Sequence, residues 1–554
     1  MTKTLSLRDW AMVLLLGLAS FLPGLASLPP VDRDEARYVV ASQRMADTGD
    51  VIDIRYQDEP RYLQPVGIYW LQALATTVLD SPAHDSIWAY RIPSLLGALL
   101  AIALTGWIGA LYFGRNAGLA AAALLAVNLS LNFEARIAKT DAVLLASIVA
   151  AQLALMRAYT EPVLSRATAA LFWVALGIGL LVKGPVILIV AGATIAALLA
   201  WDCKAAWLLR LRPVWGVPMM LAIVLPWYIA IGMVSDGAFY ERAVARNMLG
   251  KVGAGEQGHS GPFGYHLALF AVFFWPGCLL ALRAIPYVWR ERAAPAVRFL
   301  LCWIVPTWIV FEIVVTKLPH YVLPTYPAIA CLAAAALFAP APSAAAGRIV
   351  FAIVAALWLV LSALVSAAAP YALWQVEDEV NAVSLSLAVL GLGAAGASLY
   401  LLWKQRPPAM VGALAVAGVL AWGNFFGYAA PRLDSLWLSP RIVAAARAAR
   451  QCESGVLTST PYHEPSLVFL HGRTRTTLAN SGADAAQALA GDVQCGLALV
   501  DVSEQPGFLA RAESLGLGVR PASRITGRNY SNNNALDLTL YHAGAVREGE
   551  SAAR

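Results

Sequence analysis

The stretch W10-AMVLLLGLASFLPGLAS-L28 and the charged run V31-D-R-D-E-A-R-Y38 that follows it indicate the class of fold. The first stretch is apolar and close to the length that crosses ~30 Å of hydrocarbon. It resembles a signal peptide, but more apolar segments follow, so we expect a retained signal-anchor. The second run places carboxylates and guanidinium groups at the rim of that segment. Charges at membrane depth are costly and persist where they line a polar cavity.

The whole chain has the composition of a membrane protein. Of its 554 residues, 59% are hydrophobic and 13% are charged, whereas soluble domains carry roughly 25% charged residues. The formal net charge of +6 is modest for this length. Membrane topology and anionic lipid explain the basic residues better than nucleic acid does. The sequence contains no zinc-finger spacing, Walker motif or Rossmann fingerprint.

Apolar segments of roughly 16–22 residues recur along the chain and predict about thirteen transmembrane helices. We place them near 10–28, 93–112, 117–133, 141–159, 168–182, 185–201, 214–233, 265–285, 299–315, 322–338, 348–368, 382–403 and 409–428. The shorter stretch 66–79 is expected to lie in the membrane interface. With the N-terminus cytoplasmic, nearly all the short inner connections are basic, as the positive-inside rule requires.

This pattern predicts two domains, an α-helical polytopic membrane domain over residues 1–430 and a small α/β domain over residues 431–554. The first outer loop, 28–92, carries the interfacial helices, and the tail falls on the same outer side. Within the tail, R441-I-V-A-A-A-R-A-A-R450 is typical of an amphipathic helix. Three runs are predicted strands: G455-V-L-T-S, S466-L-V-F-L and C495-G-L-A-L-V-D. Cys452 and Cys495 are compatible with a periplasmic disulfide and equally with two thiols.

Most polar clusters fall on the outer face in this topology. Besides the run from Asp32 to Tyr38, they are E59-P-R-Y-L-Q-P65, F133-E-A-R-I-A-K-T-D141, E241-R-A-V-A-R-N247 with G258-H-S-G-P-F-G-Y265, and the run KLPHYVLP from Lys317 to Pro324. The simplest interpretation is one cavity at the outer interface, lined by carboxylates, cations and aromatic rings. Simpler roles stay open, among them Arg61 and Arg136 as interface anchors, Lys183 as a helix end, and His259 as a solvated loop histidine.

Four of these motifs, in order, resemble those of a known family. D34-E-A-R-Y38, Y62-L-Q-P65, A135-R-I-A-K-T-D141 and the 317–324 run are similar to motifs of the lipid-carrier-dependent GT-C glycosyltransferases, the protein O-mannosyltransferase superfamily. The resemblance covers about residues 1–430 and points to the ArnT-like branch, the aminoarabinose transferases of glycosyltransferase family 83, which modify bacterial lipid A. It implies a GT-C-type fold in the bacterial inner membrane, with the active site and the C-terminal domain periplasmic.

The resemblance also implies a reaction and the residues that perform it. A sugar would pass, with inversion, from a polyprenyl (undecaprenyl) phosphate donor to lipid A or another envelope acceptor. The implied catalytic carboxylates are Asp34 and Glu35. The implied donor-phosphate ligands are Arg37, Arg61, Gln64, Lys317, His320 and Tyr321, and the implied substrate-binding residues are Tyr38, Tyr62, Asp141 and His259. Carboxylates can accept a proton or stabilise oxocarbenium charge, and cations and phenols stabilise a departing phosphate.

One position departs from the family pattern. The Q64-P65 pair stands where the family usually has K-P, so a neutral amide replaces an ammonium group, which weakens the assignment to aminoarabinose in particular. We expect no obligatory cofactor and no obvious set of metal ligands, although an acidic outer loop could bind a divalent cation opportunistically, which nothing in the spacing supports. The expected partners are the lipid-linked donor, the acceptor and membrane lipid, without nucleic acid.

Two alternatives to this function remain: a transporter or flippase of a lipid-linked sugar, and a protein O-glycosyltransferase on the same fold. Transporters commonly contain inverted repeats with binding sites near mid-membrane. No convincing repeat is found here, and the charges collect on one face, which favours the enzyme over the transporter.

Overall fold

The computed structural model describes residues 5–81, 83–243, 261–339, 345–452 and 454–544. The first eleven helices are α1 (Leu7–Phe21), α2 (Asp34–Thr48), α3 (Gly67–Leu79), α4 (Ile87–Phe113), α5 (Arg115–Ala126), α6 (Leu129–Glu134), α7 (Asp141–Thr160), α8 (Arg166–Lys183), α9 (Val186–Asp202), α10 (Pro213–Val234) and α11 (Ala238–Tyr240). The remaining membrane-domain helices are α12 (Tyr265–Phe273), α13 (Cys278–Glu291), α14 (Pro295–Ile313), α15 (Tyr326–Phe338), α16 (Ala345–Glu377), α17 (Ala382–Trp403) and α18 (Pro407–Trp422). A short hairpin of β1 (Arg55–Tyr56) and β2 (Glu59–Pro60) precedes α3.

Every predicted apolar segment is helical, but the predicted number of about thirteen spans is not confirmed. Among the described residues, nine helices are long and apolar enough to cross a membrane. The pair α12 and α13, bent by 117°, would make a tenth. The difference lies in helix length: α1 has 15 residues and α5 has 12, whereas a straight span needs about 20. The predicted interfacial stretch 66–79 forms α3, a short apolar helix.

Small residues bring the central helices close together. A Cβ on Gly97 of α4 would lie 2.8 Å from the backbone of Ala142 at the start of α7, and a Cβ on Gly109 would lie 2.9 Å from the Cα of Gly118 on α5. Membrane helices commonly pack through such small residues, because lipid provides little hydrophobic drive for association. The close approach of α4 and α7 fixes the position of Asp141, the first residue of α7.

The C-terminal domain is a five-stranded mixed sheet with helices on both faces. Its strands are β3 (Leu457–Thr460), β4 (Thr476–Leu478), β5 (Leu497–Asp501), β6 (Gly518–Asn529) and β7 (Asn534–Gly544), in the order β4-β3-β5-β7-β6. Its helices are α19 (Leu438–Ala449), α20 (Pro465–His471), α21 (Gly482–Gly491) and α22 (Gln505–Ser514). Alternate residues of β5 enter two separate cores, Leu497 and Leu499 in one and Ala498 and Val500 in the other. All five residues of β5 are therefore buried.

The structure decides two predictions for this domain. The prediction that S466–L470 forms a strand is wrong. These residues belong to helix α20, which begins at Pro465. Proline suits the first helical position because its fixed φ and missing N–H cost nothing there. Cys452 and Cys495, left open above, form a disulfide with a Cα–Cα distance of 5.3 Å.

The C-terminal domain packs on the membrane domain beside the start of α2. The N–H of Asp32 donates to the Tyr530 hydroxyl at 2.7 Å, and Arg473 forms an ion pair with Asp47 of α2 at 3.0 Å. The domain and the first outer loop therefore lie on one face of the molecule, called the outer face below.

Candidate active site

The site begins at Asp34, the first residue of α2. Its side chain is 56% exposed, and its Oδ2 lies 3.6 Å from Nζ of Lys139, which precedes α7. Burial alone would raise the pKa of Asp34, but the charges of Lys139, Arg61 and Lys183 outweigh it and lower that pKa below its usual value. Asp34 is therefore an ionised, accessible carboxylate beside an ammonium group at neutral pH.

Glu35, the next residue, faces the interior instead. Its carboxylate is 1% exposed and accepts two hydrogen bonds from Arg91 of α4, at 2.8 and 2.9 Å. It also accepts the backbone N–H groups of Val31 and Ala138, at 2.8 and 2.7 Å. This set of contacts ties α2, α4 and the segment before α7 together. The surroundings of Glu35 are those of a structural ion pair, and its catalytic role stays a prediction.

A second group of charges lies around Asp141. Nζ of Lys183, the last residue of α8, is 2.6 Å from Asp141 Oδ1. His320, in the 3₁₀ turn Pro319–Thr325, lies 3.8 Å from the same oxygen through Nε2 and 3.5 Å from Glu134 through Nδ1. Lys139 lies within the electrostatic field of Asp141 as well as of Asp34, so the two groups are neighbours on the outer face.

An apolar cavity opens beside this second group. Its volume is about 210 Å³, and its polar lining includes Gln64, Asp141, Lys183, His320 and Tyr321. Aliphatic and aromatic side chains form most of the remaining wall, including those of Leu144, Ile189, Tyr228, Phe239 and Phe311. Such a cavity, apolar with a few polar groups at one place, suits a ligand with a hydrocarbon chain and a charged head.

Three further predicted residues lie on α2 or between α2 and α3. The Arg61 guanidinium is buried and sits 5.2 Å from the centroid of the Tyr38 ring, an arrangement typical of a cation–π contact. The Tyr38 ring in turn lies 5.4 Å from that of Tyr69. Arg37, on the first turn of α2, is half-buried and lies in the field of Asp34 and Arg61. These residues add positive charge beside Asp34.

The remaining predicted residues are placed elsewhere. Lys317 is buried and donates through Nζ to the carbonyl oxygens of Gly261 and Val314, at 3.1 and 3.0 Å, so its ammonium group braces the backbone. The Tyr62 hydroxyl donates to Asp53 at 2.8 Å, and its ring packs on Phe239. The ligand roles of Lys317 and Tyr62 stay predictions. His259 lies outside the described residues.

Comparison with known proteins finds similarity to transferases of lipid-linked sugars. A family model described as dolichyl-phosphate-mannose-protein mannosyltransferase matches residues 31–235. The chain is 27% identical over 307 residues to the undecaprenyl phosphate-alpha-4-amino-4-deoxy-L-arabinose arabinosyl transferase of Erwinia tasmaniensis, covering 54% of each chain. The enzyme of the same name from Yersinia pestis is 26% identical over 306 residues, again covering 54% of each. The chain thus matches about half the length of these curated relatives.

The structural comparison covers nearly the whole molecule. The chain superposes on ArnT from Cupriavidus metallidurans bound to undecaprenyl phosphate with a TM-score of 0.76 and 19% identity, over 98% of this chain and 100% of that one. An archaeal oligosaccharyltransferase from Archaeoglobus fulgidus gives a TM-score of 0.52 and 13% identity, over 90% of this chain and 69% of that one. The chain has the ArnT-like fold. This confirms the resemblance predicted from the four motifs, and the fold class of a helical membrane domain with a small C-terminal sheet domain.

Sequence reasoning missed three residues that the ArnT-like fold gathers at the site. The sequence leaves a helix-end role open for Lys183, and it assigns no individual role to Lys139 or Glu134. Lys183 and Lys139 carry a signal that was available: each is a cation within or next to an apolar segment, where an uncompensated charge is costly. Glu134 carried the same signal, since it lies fully buried at the end of α6.

The ArnT-like fold also brings together a trio of metal-ligand types. Glu134, Asp141 and His320 each place a ligand atom within 4.8 Å of the others. However, the Lys183 ammonium already lies 2.6 Å from Asp141, and Lys139 acts on both carboxylates. Both carboxylates of the trio therefore lie in the field of ammonium groups.

Proposed function

We propose that this protein transfers a sugar from a polyprenyl phosphate donor to an acceptor at the outer face of the bacterial inner membrane. The observation that carries the proposal is the placement of ionised Asp34 beside Lys139, next to a cavity where Lys183, His320 and Tyr321 meet. The relatives named above act on, or bind, undecaprenyl phosphate compounds by name. We propose lipid A, or another envelope glycan, as the acceptor, as the motif resemblance implies.

The proposed reaction is a single inverting displacement at the anomeric carbon. The bond from that carbon to the phosphate oxygen breaks, and its electron pair leaves with the polyprenyl phosphate. Lys183 stabilises the charge growing on that phosphate, helped by the Tyr321 hydroxyl and His320. Gln64 lines the same cavity but carries no charge, so Lys183 takes the part that the missing lysine of the K-P motif would play.

Asp34 acts on the other side of the reacting carbon. The new bond forms from an acceptor oxygen, and when that oxygen is a hydroxyl, its proton goes to the Asp34 carboxylate. A lipid A phosphate is already ionised and gives up no proton, so Asp34 then serves only to stabilise positive charge on the sugar ring. Because Lys139 and Lys183 neutralise the acidic cluster, the reaction in this proposal needs no divalent cation.

We place the site and the C-terminal domain in the periplasm. The disulfide between Cys452 and Cys495 supports this orientation, since such bonds persist in oxidising compartments. The C-terminal domain contacts the loop that carries Asp34, so one compartment would hold both.

The test is a gene deletion followed by mass spectrometry of lipid A. We expect loss of a pentose- or hexose-type adduct, restored by the wild-type gene and reduced about 10²- to 10³-fold in rate by Asp34→Asn, which removes a charge that stabilises the transition state. The matched control is Asp47→Asn, which removes the same charge from the same helix at a pair with Arg473, and it should restore the adduct fully.

One outcome would overturn the proposed role of Asp34, and another would exclude lipid A as the acceptor. Full restoration by Asp34→Asn would remove Asp34 from the reaction. A lipid A profile that is unchanged by the deletion would exclude lipid A and direct the search to other envelope glycans or to proteins. Adding EDTA to membranes that hold the wild-type protein should leave adduct formation unchanged.

A further inference from the structure

The C-terminal domain holds the residue two positions before Asp34. Asp32 is 7% exposed. Its N–H donates to the Tyr530 hydroxyl at 2.7 Å, and its Oδ1 accepts the backbone N–H of Ser466 at 3.0 Å. Both partners belong to the C-terminal domain, more than four hundred residues away in sequence. Backbone and side chain of Asp32 are thus both fixed from outside the membrane domain.

The residue directly before Asp34 is held in the same way. Arg33 donates through Nη2 to the carbonyl oxygen of Ser531 at 3.3 Å, and its Nε lies 4.0 Å from Glu464 Oε2. Its φ is +69°, a value that non-glycine residues adopt only when their surroundings impose it. The turn that aims Asp34 therefore depends on contacts with the C-terminal domain.

These contacts come from a connected network within that domain. Glu464 accepts Nδ2–H of Asn529 at 2.7 Å, and Oδ1 of Asn529 accepts the N–H of Ser531 at 2.9 Å. The Tyr530 ring packs edge-on against Trp437 at 5.6 Å. The end of β6 and the start of α20 therefore present Tyr530, Ser531 and Ser466 as one rigid surface.

On its other side, Asp34 is fixed by the membrane domain. Glu35 is locked to Arg91 and accepts the N–H of Val31. Asp34 therefore sits between two anchored neighbours, one tied to α4 and one tied to the C-terminal domain. Lys139 lies 3.6 Å from its carboxylate, a distance that a small change of the turn would lengthen.

We propose that the C-terminal domain positions Asp34 for sugar transfer, with Tyr530 and Arg33 as the positioning residues that set the distance from Asp34 to Lys139. This inference rests on the proposed function. Catalytic groups must be held within a fraction of an ångström of their working geometry, and displacements of about 1 Å can cost on the order of 10²-fold in rate. The domain is thereby part of the catalytic apparatus although none of its residues needs to touch the substrate.

The test uses the full-length protein with the lipid extract of the deletion strain, which supplies both the unconsumed donor and the unmodified acceptor. The variant is Tyr530→Phe, which removes only the hydroxyl and keeps the ring against Trp437. We expect kcat to fall about 10-fold while the apparent KM for the extract changes less than about 2-fold. The second variant, Arg33→Met, breaks the other contact and should lower kcat in the same way.

The pH dependence of kcat distinguishes positioning of Asp34 from a purely structural role, because a purely structural role would leave it unchanged. Asp34 is held ionised to unusually low pH by Lys139 and its other cationic neighbours. When the turn relaxes, the attraction between Asp34 and these cations weakens and the pKa of Asp34 rises. The acid limb of kcat should therefore shift to higher pH by roughly half a unit or more. The matched control is Arg473→Gln, which breaks a pair at the same domain interface, 3.0 Å from Asp47, and should change neither kcat nor the acid limb.

The outcomes separate this inference from the function on which it rests. If the wild-type protein forms no adduct from the extract, the proposed function fails. If the wild type is active and both variants keep its kcat and its acid limb, positioning by the C-terminal domain is wrong. An equal loss in Arg473→Gln would also overturn it, because general loosening of the domain would then explain the effect.

Discussion

Lys183 ends α8 directly before Gly184 and Pro185, a context in which a lysine often does no more than close a helix. In the fold its ammonium group instead lies 2.6 Å from Asp141 and lines the cavity. The two roles predict different behaviour. A helix-end lysine contributes stability through the helix dipole, whereas a phosphate ligand contributes to the rate.

We therefore expect Lys183→Met to lower kcat by about 10²- to 10³-fold, since it removes a charge that stabilises the leaving phosphate. Lys183→Arg keeps the charge and should retain a larger part of the activity. Lys204→Met, an exposed lysine of the opposite face, is the control and should behave as wild type. Rates of adduct formation from the deletion-strain extract measure all three. A drop in thermal stability of Lys183→Met with kcat unchanged would return Lys183 to the helix-end role.

At the residue scale, the sequence identifies candidate residues but not the contacts that distinguish their roles. Asp34 and Glu35 are adjacent and chemically alike, so their motif cannot separate them. Successive helical residues point about 100° apart, and only the fold reveals that Arg91, on α4, lies on one side and Lys139 on the other. For the same reason the motif could not show that Lys317 contacts Gly261, a residue of another segment, as well as Val314.

At the scale of elements, the apolar pattern predicted where helices of the membrane domain lie. It did not predict how long each helix is. Periodicity reports where a segment is buried, while capping and packing decide where it ends, as in the 12 residues of α5. In the C-terminal domain, the short apolar run from Ser466 was predicted as a strand but forms a helix. Apolar runs of this length are compatible with either secondary structure. Pro465, directly before that run, was the sequence feature that indicated a helix.

The disulfide gives a prediction at this scale. It links residues 43 positions apart, and closing such a loop stabilises the folded domain by about 4 kcal/mol through the entropy of the unfolded chain. Cys452→Ser should therefore lower the melting temperature of the C-terminal domain, followed by circular dichroism in detergent. Cys203→Ser, at an exposed free cysteine, is the matched control and should leave it unchanged.

Thiol labelling checks the same bond independently. Under native, non-reducing conditions a bulky maleimide should react with exposed Cys203 and spare the buried Cys278, Cys302 and Cys331. Reduction before labelling should add reaction at Cys452 and Cys495. Labelling of these two without reductant would contradict the bond and remove its support for a periplasmic C-terminal domain.

At the scale of the whole molecule, the junction between the two domains carries a buried acid that should make their docking depend on pH. Burial raises the pKa of Asp32 to about 6, and the nearby Glu464 carboxylate adds to the effect, partly offset by hydrogen bonds from Ser466 and Tyr530. In the unfolded chain the pKa of an aspartate is about 3.9. The folded state therefore holds its proton more tightly, and the stability this contributes is present at low pH and lost as the pH rises through about 6.

Asp32→Asn should accordingly be more stable than the wild type at pH 7.5. The amide resembles the protonated acid, and its oxygen still accepts the Ser466 N–H, but it carries no charge to bury beside Glu464. We expect a rise of about 2–4 °C in melting temperature per kcal/mol gained, and a loss of most of the stabilisation that the wild type shows between pH 7.5 and 5. Thermal unfolding in nanodiscs measures both, with Asp47→Asn as the control because Asp47 is one-third exposed. A lower melting temperature for Asp32→Asn at pH 7.5 would mean that the charged form of Asp32 is what holds the domains together.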